Sequence, residues 1–508
     1  MAKYKGYDYS QSVLIPVSFE DQLMAGTLEF AIHTLVENRM DLSIFEDRFK
    51  NDETGRSAYD PKVLLKVVLF GYSRGLITSR KLERACIENV TFMALTCGQR
   101  PDHSTIAAFV TSMKEEILPL FTDVLLVCEE EGLLAGSHFS LDGCKLSSKA
   151  SVRWSGTIAE IKEKKERIER RVKRLMEKQI EADKQPGIKE ERSSVILQKE
   201  KQIKRLQDKA ERIEQWLKDN GPKIGKQGRE IKSNVTDNES TTMVGVHGLV
   251  QGYNGQALVD SENQVIVHGE AFGYRQDSDL IEPMLDGAKK NMEAIGSGAD
   301  YFEEKTLTAD SNYHSPENLK KCDEEKLDAY IPDRRYRSRD PRVPDQQKKT
   351  AKRANRFRLE DFHHNEDTDE YLCPNGKILK VNVKKYEQDG IIYRMYRSDK
   401  DDCEGCELKI KCVRRKNAKR KVICVPIGIV PGNLTKAMQD KIDSEEGKKI
   451  YARRLAIVEP VFANIRTHKE MNRFTLRGKV KVNIQCLLYC MVHNMGKILK
   501  YGPTYGFT

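Results

Sequence analysis

The chain has 508 residues, of which 39% are hydrophobic and 32% are charged. This length and apolar content predict a folded protein of about two to four domains and argue against a disordered chain. A formal net charge of +10 favours a polyanionic partner such as nucleic acid, and we expect neither a signal peptide nor a membrane span, because no long apolar run is present.

Residues 1–133 are predicted to form a helical domain for DNA binding or dimerisation. Apolar residues recur at helical spacing in Phe19–Val36 and Pro61–Arg74. A short turn then precedes a predicted helix over Lys81–Glu88, and a capping segment precedes another over Ile106–Ile117. The spacing fits a helix-turn-helix that contacts DNA, and it also fits a bundle that only packs.

Two different patterns follow the helical region. His138–Gly143 is predicted to be a short strand that ends in an acid, Asp142. In the charged stretch Ile158–Asp219, aliphatic residues step by threes and fours as in a heptad seam, and Gln-Pro-Gly at 185–187 should break the helix. We therefore expect a coiled-coil hairpin insertion over 157–221, which is either a solvated spacer or an arm for dimerisation or DNA gripping.

Strand-like segments return after the charged stretch. They are Thr242–Val250, Ala257–Val259, Gln264–Ala271 and Lys305–Ala309. The last of these is followed directly by Asp310. Residues 334–433 are predicted to contain a basic linker and a β-rich insertion with a cysteine cluster, and residues 434–508 are predicted to be helical.

Three acids are candidates for metal chemistry. Asp142 and Asp310 each come at the end of a predicted buried strand, which would hold the carboxylate at a sheet edge. Mg²⁺ prefers such oxygen ligands, and two ions about 4 Å apart can stabilise the attacking and leaving oxygens of a phosphodiester. Glu459 is the best third acid, because Pro460 is tolerated in a first helical turn and Glu459 would then begin that helix. Among 77 acidic residues, spacing alone is a weak indication.

Three segments carry a resemblance to a known family. Asp142-Gly143, Ala309–Tyr313 and Val458–Phe462 are similar to the three acid boxes of bacterial insertion-sequence transposases of the DDE class. Further similar segments follow in the family's order along nearly the whole chain: Tyr59–Glu83, Pro101–Ile106, Val250–Gln256, Arg473–Gly478 and His493-Asn494.

The resemblance implies an α/β multidomain fold. Its catalytic core would be a ribonuclease-H-like mixed sheet flanked by helices, with an N-terminal helical domain. Residues 134–156 and 222–333 would form the first part of this core, and residues 434–508 would complete it. The helical hairpin and the β-rich cysteine-containing segment would then be insertions.

The resemblance also implies a DNA transposase. Such an enzyme binds the ends of its insertion sequence, cleaves phosphodiester bonds and joins the 3′-OH ends to target DNA. Asp142, Asp310 and Glu459 would hold two Mg²⁺ (or Mn²⁺) ions. The partner would be double-stranded DNA, both terminal inverted repeats and target, bound by a homodimer in the bacterial cytoplasm at the nucleoid. A related metal-dependent nuclease without strand transfer and an inactive DNA-binding scaffold are the alternatives.

Seven residues would contact DNA by the same resemblance: Arg80, Lys81, Tyr451, Arg454, Arg466, Arg473 and Arg477. In many relatives three residues separate the arginine from the glutamate, whereas four separate Arg454 from Glu459. One extra helical residue rotates a side chain by about 100°. Tyr451 and Arg454 are therefore predicted either to contact phosphate or to lie on an ordinary helix surface.

Four cysteines form a second candidate metal site: Cys373, Cys403, Cys406 and Cys412. Four thiolates would suit a tetrahedral structural Zn²⁺. The spacing is irregular, and Cys403 and Cys406 form the one C-x-x-C pair. Free thiols in a small β-subdomain are therefore the alternative.

Overall fold

The computed structural model describes residues 18–48, 57–183, 189–225, 228–245, 248–273, 276–339, 356–388, 391–413, 418–429 and 433–504. The predicted helix break at 185–187 and residues 340–355 of the predicted basic linker lie outside these ranges. Within the described ranges, no helix combines the length and the apolar character that a bilayer span requires.

The N-terminal segment is helical, as predicted. It contains α1 (Leu28–Asn38), α2 (Pro61–Ser73), α3 (Ser79–Glu88), α4 (Val90–Leu95), α5 (His103–Ser112) and α6 (Ile117–Glu130). Polar side chains begin several of these helices, since Asp60 and Asp102 accept hydrogen bonds from first-turn amides of α2 and α5. These bonds satisfy N–H groups that a helix start leaves unpaired.

Two of the predicted N-terminal helices have different bounds. The helix expected over Phe19–Val36 begins only at Leu28, because Gly26 adopts a φ of +80° and the Thr27 side chain caps α1. The helix expected over Ile106–Ile117 is divided, because α5 ends at Ser112 and α6 begins at Ile117.

The middle of the chain holds the main sheet and a helical hairpin. In chain order the elements are β1 (His138–Ser147), β2 (Ser155–Gly156), α7 (Ile158–Asp183), α8 (Lys189–Asp219), β3 (Lys223–Ile224), β4 (Glu230–Ile231), β5 (Ser233–Asn234), β6 (Thr241–Gly245), β7 (Gly248–Asp260), β8 (Ile266–Phe272), α9 (Ile281–Ala294), β9 (Thr306–Ala309), α10 (Pro316–Glu324), β10 (Asp328–Tyr330) and α11 (Tyr336–Arg339).

The main sheet is mixed and has β1 at its centre. Its strand order is β10-β9-β1-β7-β6, and β8 also pairs with β7. β1 is antiparallel to β7 and parallel to β9, with Leu141 opposite Ala309. The prediction that a strand ends at Asp142 was wrong, because pairing with β7 continues to Ser147 and leaves Asp142 inside β1. The short predicted strand Ala257–Val259 is likewise part of the longer β7.

Helices α7 and α8 pack against each other along apolar side chains. Ile203, Ala210 and Ile213 of the predicted seam are buried. Ile213 forms a cluster with Ile161 of α7 and with Trp216, which packs beside the predicted seam residue Leu217. An ion pair between Lys165 and Glu214 also joins the two helices, at 3.2 Å. A coiled coil in the strict sense stays a prediction.

The β-rich insertion forms a second, five-stranded sheet. Its elements are β11 (His363–Asn365), β12 (Glu370–Leu372), β13 (Ile378–Gln388), β14 (Ile391–Ser398), the short helices α12 (Lys400–Cys403) and α13 (Lys409–Cys412), and β15 (Val422–Ile429). The strands pair in chain order and each pair is antiparallel. This agrees with the predicted β-rich segment.

Three helices end the chain and return to the main sheet. They are α14 (Leu434–Asp443), α15 (Glu445–Ala463), which continues into a π-helical turn (Asn464–His468), and α16 (Lys479–Tyr501). Helix α16 packs on the N-terminal helices, where the Tyr72 and Tyr489 rings lie 5.0 Å apart between centroids. The N-terminal helices, the main sheet and α16 thus share one hydrophobic core.

The placement of Glu459 at a helix start was wrong, because α15 begins at Glu445 and Pro460 lies inside it. Proline has no N–H, so the carbonyl of Ala456, four residues earlier, loses its helical donor. The side chain of Gln264 supplies the missing donor at 2.9 Å. This tertiary hydrogen bond offsets the defect, and the buried Val458 and Val461 anchor the helix in the core.

We predict that Gln264→Ala weakens α15 by about 1 kcal/mol, because the Ala456 carbonyl loses its donor. Amide exchange in α15 should then accelerate about five-fold, as measured by hydrogen–deuterium exchange. In the Pro460→Ala background the new amide restores the helical bond, so the same change should have a smaller effect. Equal effects in both backgrounds would contradict the assigned role of Gln264.

Candidate active site

Asp142 and Glu459 face the same open groove at the edge where β1 meets α15. The groove has a volume of about 470 Å³, and Arg466, Thr467 and Asn472 also line it. Asp142 comes from the central strand and Glu459 from a helix more than 300 residues later. The fold therefore brings two of the three predicted acids to one place.

Asp142 is held by two hydrogen bonds. Its Oδ1 accepts the N–H of Gly143 at 2.8 Å, and its Oδ2 accepts Nη1 of Arg454, also at 2.8 Å. The Arg454 side chain is only 10% exposed, so this is a largely buried ion pair. Arg454 therefore does not lie on an ordinary helix surface, although four residues separate it from Glu459.

Asp310 follows β9 directly and lies beside Asp142, because β1 and β9 are parallel neighbours. Its two oxygens accept the backbone N–H and the side-chain amide of Asn312, at 2.7 and 3.1 Å. Burial raises the pKa of both aspartates, and the negative charge of Asp142 adds to the rise at Asp310. The Arg454 cation opposes this rise at both aspartates, and ionisation of the two carboxyl groups stays unfavourable despite it.

A fourth acid, Asp277, approaches the same region and was not predicted. Its Oδ1 accepts the side-chain amides of Asn254 and Gln256, at 2.6 and 3.3 Å. Gln256 in turn accepts the hydroxyl of Tyr313, which belongs to the acid box of Asp310. The negative charge of Asp277 contributes to the raised pKa values of Asp142 and Asp310.

The sequence contains one pattern that could have predicted the hydrogen bonds around Asp277. Asn254 and Gln256 are polar residues two positions apart in a buried strand, so their side chains lie on the same face. Buried amides need partners, and this pattern could have indicated a polar network. Asp277 itself carries no such signal, since it is one of 77 acidic residues.

The glycine that follows Asp142 is explained by the same network. Gln256 lies opposite Gly143 in the β1–β7 register. A Cβ on Gly143 would lie 2.0 Å from Nε2 and 2.7 Å from Cδ of Gln256. The absence of a side chain at residue 143 lets Gln256 reach Tyr313 and Asp277.

The predicted DNA-contacting residues occupy several positions. Arg80 and Lys81 are exposed at the start of α3, outside the set of residues that line the groove, whereas Arg466 is exposed within it. Arg473 and Arg477 are exposed beside the end of β1, where Phe474 donates its N–H to the Ser147 carbonyl.

Tyr451 is partly buried on α15. Its ring meets that of Tyr336 edge-on at 5.5 Å, and the guanidinium carbon of Arg454 lies 5.9 Å from the ring centroid. Tyr451 and Arg454 thus form one contact group near Asp142.

The four predicted zinc ligands line a single small cavity in the second sheet: Cys373, Cys403, Cys406 and Cys412. Burial raises the pKa of the Cys412 thiol, the cation of Lys421 opposes this rise, and the other three cysteines add to it. All four are free thiols.

Across the described ranges, no group of three or more His, Cys, Asp or Glu side chains stands in an arrangement that could hold a metal ion. At the groove, Arg454 and Asn312 occupy oxygens of Asp142 and Asp310. Both metal-site predictions therefore stay predictions. Their donor types still fit, since carboxylates suit Mg²⁺ and thiolates suit Zn²⁺.

Two family models match the chain. Residues 17–112 match the family described as "Transposase domain (DUF772)", and residues 372–499 match the "Transposase DDE domain" family. No curated protein and no solved structure matches the chain. The second match includes Glu459, Arg454 and the four cysteines, whereas Asp142 and Asp310 lie between the matched regions.

We predict that Gly143→Ala lowers the free energy of unfolding by about 1–3 kcal/mol, because the new methyl group displaces the buried Gln256 amide. Urea denaturation measures this loss. In the Gln256→Ala background the clash is absent, so the same substitution should cost much less. A similar cost in both backgrounds would show that Gly143 is required for another reason.

Asp310 should make stability depend on pH. A carboxyl whose pKa is raised on folding stabilises the fold below its unfolded pKa, and that stabilisation is lost as pH rises through the folded pKa. Asp310→Asn should therefore increase the free energy of unfolding at pH 7, with the gain vanishing under acidic conditions. Asp323→Asn, at an exposed acid of α10, is the control. It should change the free energy of unfolding neither at pH 7 nor under acidic conditions. A destabilised Asp310→Asn protein at pH 7 would contradict the assignment.

Proposed function

We propose that the chain is a DDE transposase of insertion sequences, as its two matches to transposase families support, and that it binds the ends of its insertion sequence, cuts them and joins the 3′-OH ends to target DNA. The observation that carries the proposal is that Asp142 has both other predicted acids as neighbours, although they come from distant parts of the chain. Asp142 and Asp310 lie on neighbouring parallel strands, and Glu459 faces Asp142 across one groove.

The proposed catalytic core is ribonuclease-H-like. Its support is a mixed sheet in which β1 is antiparallel to β7 on one side and parallel to β9 on the other. Helices α9, α15 and α16 pack on this sheet and bury its apolar side chains. The sheet fixes Asp142 and Asp310, and α15 supplies Glu459.

We propose that Asp142, Asp310 and Glu459 hold two Mg²⁺ or Mn²⁺ ions. Their oxygen donors are the kind that these ions prefer. Divalent ions bound there would neutralise charge on the scissile phosphate and favour deprotonation of the attacking hydroxyl. Arg454 would then exchange its contact with Asp142 for one with DNA.

The groove itself carries groups suited to phosphate. The Arg466 guanidinium is exposed in its wall beside Thr467 and Asn472. Arg454 is not among the residues that line the groove, and its buried Nε has no hydrogen-bond partner in the described part of the chain. Once Asp142 binds a cation, this guanidinium would be free to turn towards a phosphate oxygen. These residues would orient the phosphodiester for in-line attack, where positioning and charge neutralisation supply most of the catalysis.

The proposal includes DNA contacts by Arg80, Lys81, Tyr451, Arg473 and Arg477, and a homodimer that bridges two DNA ends. The exposure of these four basic side chains and the net charge of +10 support the contacts with DNA. Exposed Met176, Ile180 and Leu197 on the helical hairpin favour its pairing with a second copy.

The test is cleavage of labelled DNA that carries the insertion-sequence ends, in Mg²⁺. Asp142→Ala, Asp310→Ala and Glu459→Ala should each bind these ends in a mobility-shift assay and cut at least about 100-fold more slowly, because charge neutralisation at the phosphate is lost. Glu446→Ala, at an exposed acid 13 residues earlier on α15, is the matched control and should cut like wild type.

Each alternative has its own outcome. If the three acid variants cut DNA as fast as wild type, the three acids have no role in catalysis. Cleavage without joining of 3′-OH ends to target DNA would favour the nuclease without strand transfer. Binding of the ends by a wild-type protein that never cuts them would favour the inactive scaffold.

A further inference from the structure

The four cysteines at residues 373, 403, 406 and 412, called here the cysteine cluster, surround a cavity in the second sheet. Its volume of about 20 Å³ exceeds the roughly 10–15 Å³ that one water molecule needs. The cavity therefore has room for one ion and little else.

Tight turns bring these sulfurs together. Cys373 follows β12 in a turn closed by a hydrogen bond from the Gly376 N–H to the Cys373 carbonyl, and Gly376 has a φ of +69°. Gly405, between Cys403 and Cys406, has a φ of +83°. This backbone conformation disfavours residues with a side chain. The two glycines thus let short segments turn their thiols towards the same cavity.

Polar groups already face three of the sulfurs, and at two of them the group is a hydrogen-bond donor. The Lys377 N–H donates to Sγ of Cys373 at 3.3 Å, and the Asn375 amide lies 3.6 Å from Sγ of Cys406. The Ser398 hydroxyl lies 3.1 Å from Sγ of Cys403. Donors directed at sulfur stabilise a thiolate, and the thiolate is the form that binds metal.

The surrounding sheet has a small core. Its buried apolar side chains in the described residues are Phe362, Tyr371, Leu379, Tyr396 and Ile423. A core of this size gives little stability by itself, and small units of this kind commonly depend on a disulfide or a metal. The segment that carries Cys403, Cys406 and Cys412 contains only the short helices α12 and α13, so strand pairing does not hold it to the sheet.

We propose that the cysteine cluster binds one structural Zn²⁺, which fastens residues 400–413 to the turn between β12 and β13. Four thiolates leave no open coordination position, so the ion would have no catalytic role. In the described part of the chain, the four thiols do not stand in an arrangement that could already hold a metal ion. Each sulfur turns about one side-chain bond, so binding would draw the thiols inward through rotamer changes.

The test measures zinc in the full-length protein, purified under reducing conditions with Zn²⁺ supplied, by mass spectrometry of the metal content. Wild type should carry about one zinc ion per chain. The double variant Cys403→Ser/Cys406→Ser should carry none. Cys424→Ser, at an exposed cysteine of β15 outside the cavity, is the matched control and should retain the ion.

A second measurement avoids the variants, in case the double variant does not fold. Wild type loaded with Co²⁺ in place of Zn²⁺ should show the strong d–d and thiolate-to-metal charge-transfer bands of a tetrahedral thiolate site. Reduced wild type that takes up neither ion would overturn the proposal. So would a double variant that keeps its zinc, or disulfides among these four cysteines in the freshly isolated protein.

Discussion

The buried ion pair between Arg454 and Asp142 joins the central strand of the main sheet to a helix that arrives 312 residues later. Two neighbouring aspartates, one inside β1 and one directly after β9, are costly to ionise, because burial removes water and the charge of Asp142 opposes that of Asp310. A buried guanidinium on one of them offsets part of this cost. Helix α15 must therefore pack with Arg454 facing β1, and this orientation also brings Glu459 to the groove.

The sequence predicted the strands that carry the two aspartates. It did not predict the position of Glu459 in its helix or the ion pair between Arg454 and Asp142. The strands that carry Asp142 and Asp310 were recognisable because apolar runs ended beside an acid. The prediction that Glu459 begins a helix was wrong, because it used only the local preference of proline for a first helical turn. In the structure a distant side chain, Gln264, supplies the donor that Pro460 lacks. The pairing of Arg454 with Asp142 depends on how a helix docks on the sheet, and helical spacing alone could not give it.

The family matches and the geometry of the groove support the proposed chemistry from separate parts of the chain. The matches cover residues 17–112 and 372–499, so they include Glu459 but neither aspartate. The positions of Asp142 and Asp310 instead follow from the parallel pairing of β1 with β9. Two long insertions, the helical hairpin and the second sheet, separate these elements in the chain without interrupting the main sheet.

The shared core of the first and last helices has a consequence for synthesis. Part of the apolar surface that helices α2 and α6 bury is covered by α16, which is synthesised more than 300 residues after them. Contacts between such distant parts of a chain form slowly and leave apolar surface open until they close. The nascent protein must therefore hold its N-terminal helices in an incomplete state while more than 300 further residues are added. Asp142 of β1 likewise meets Glu459 at the groove only after more than 300 further residues have been added.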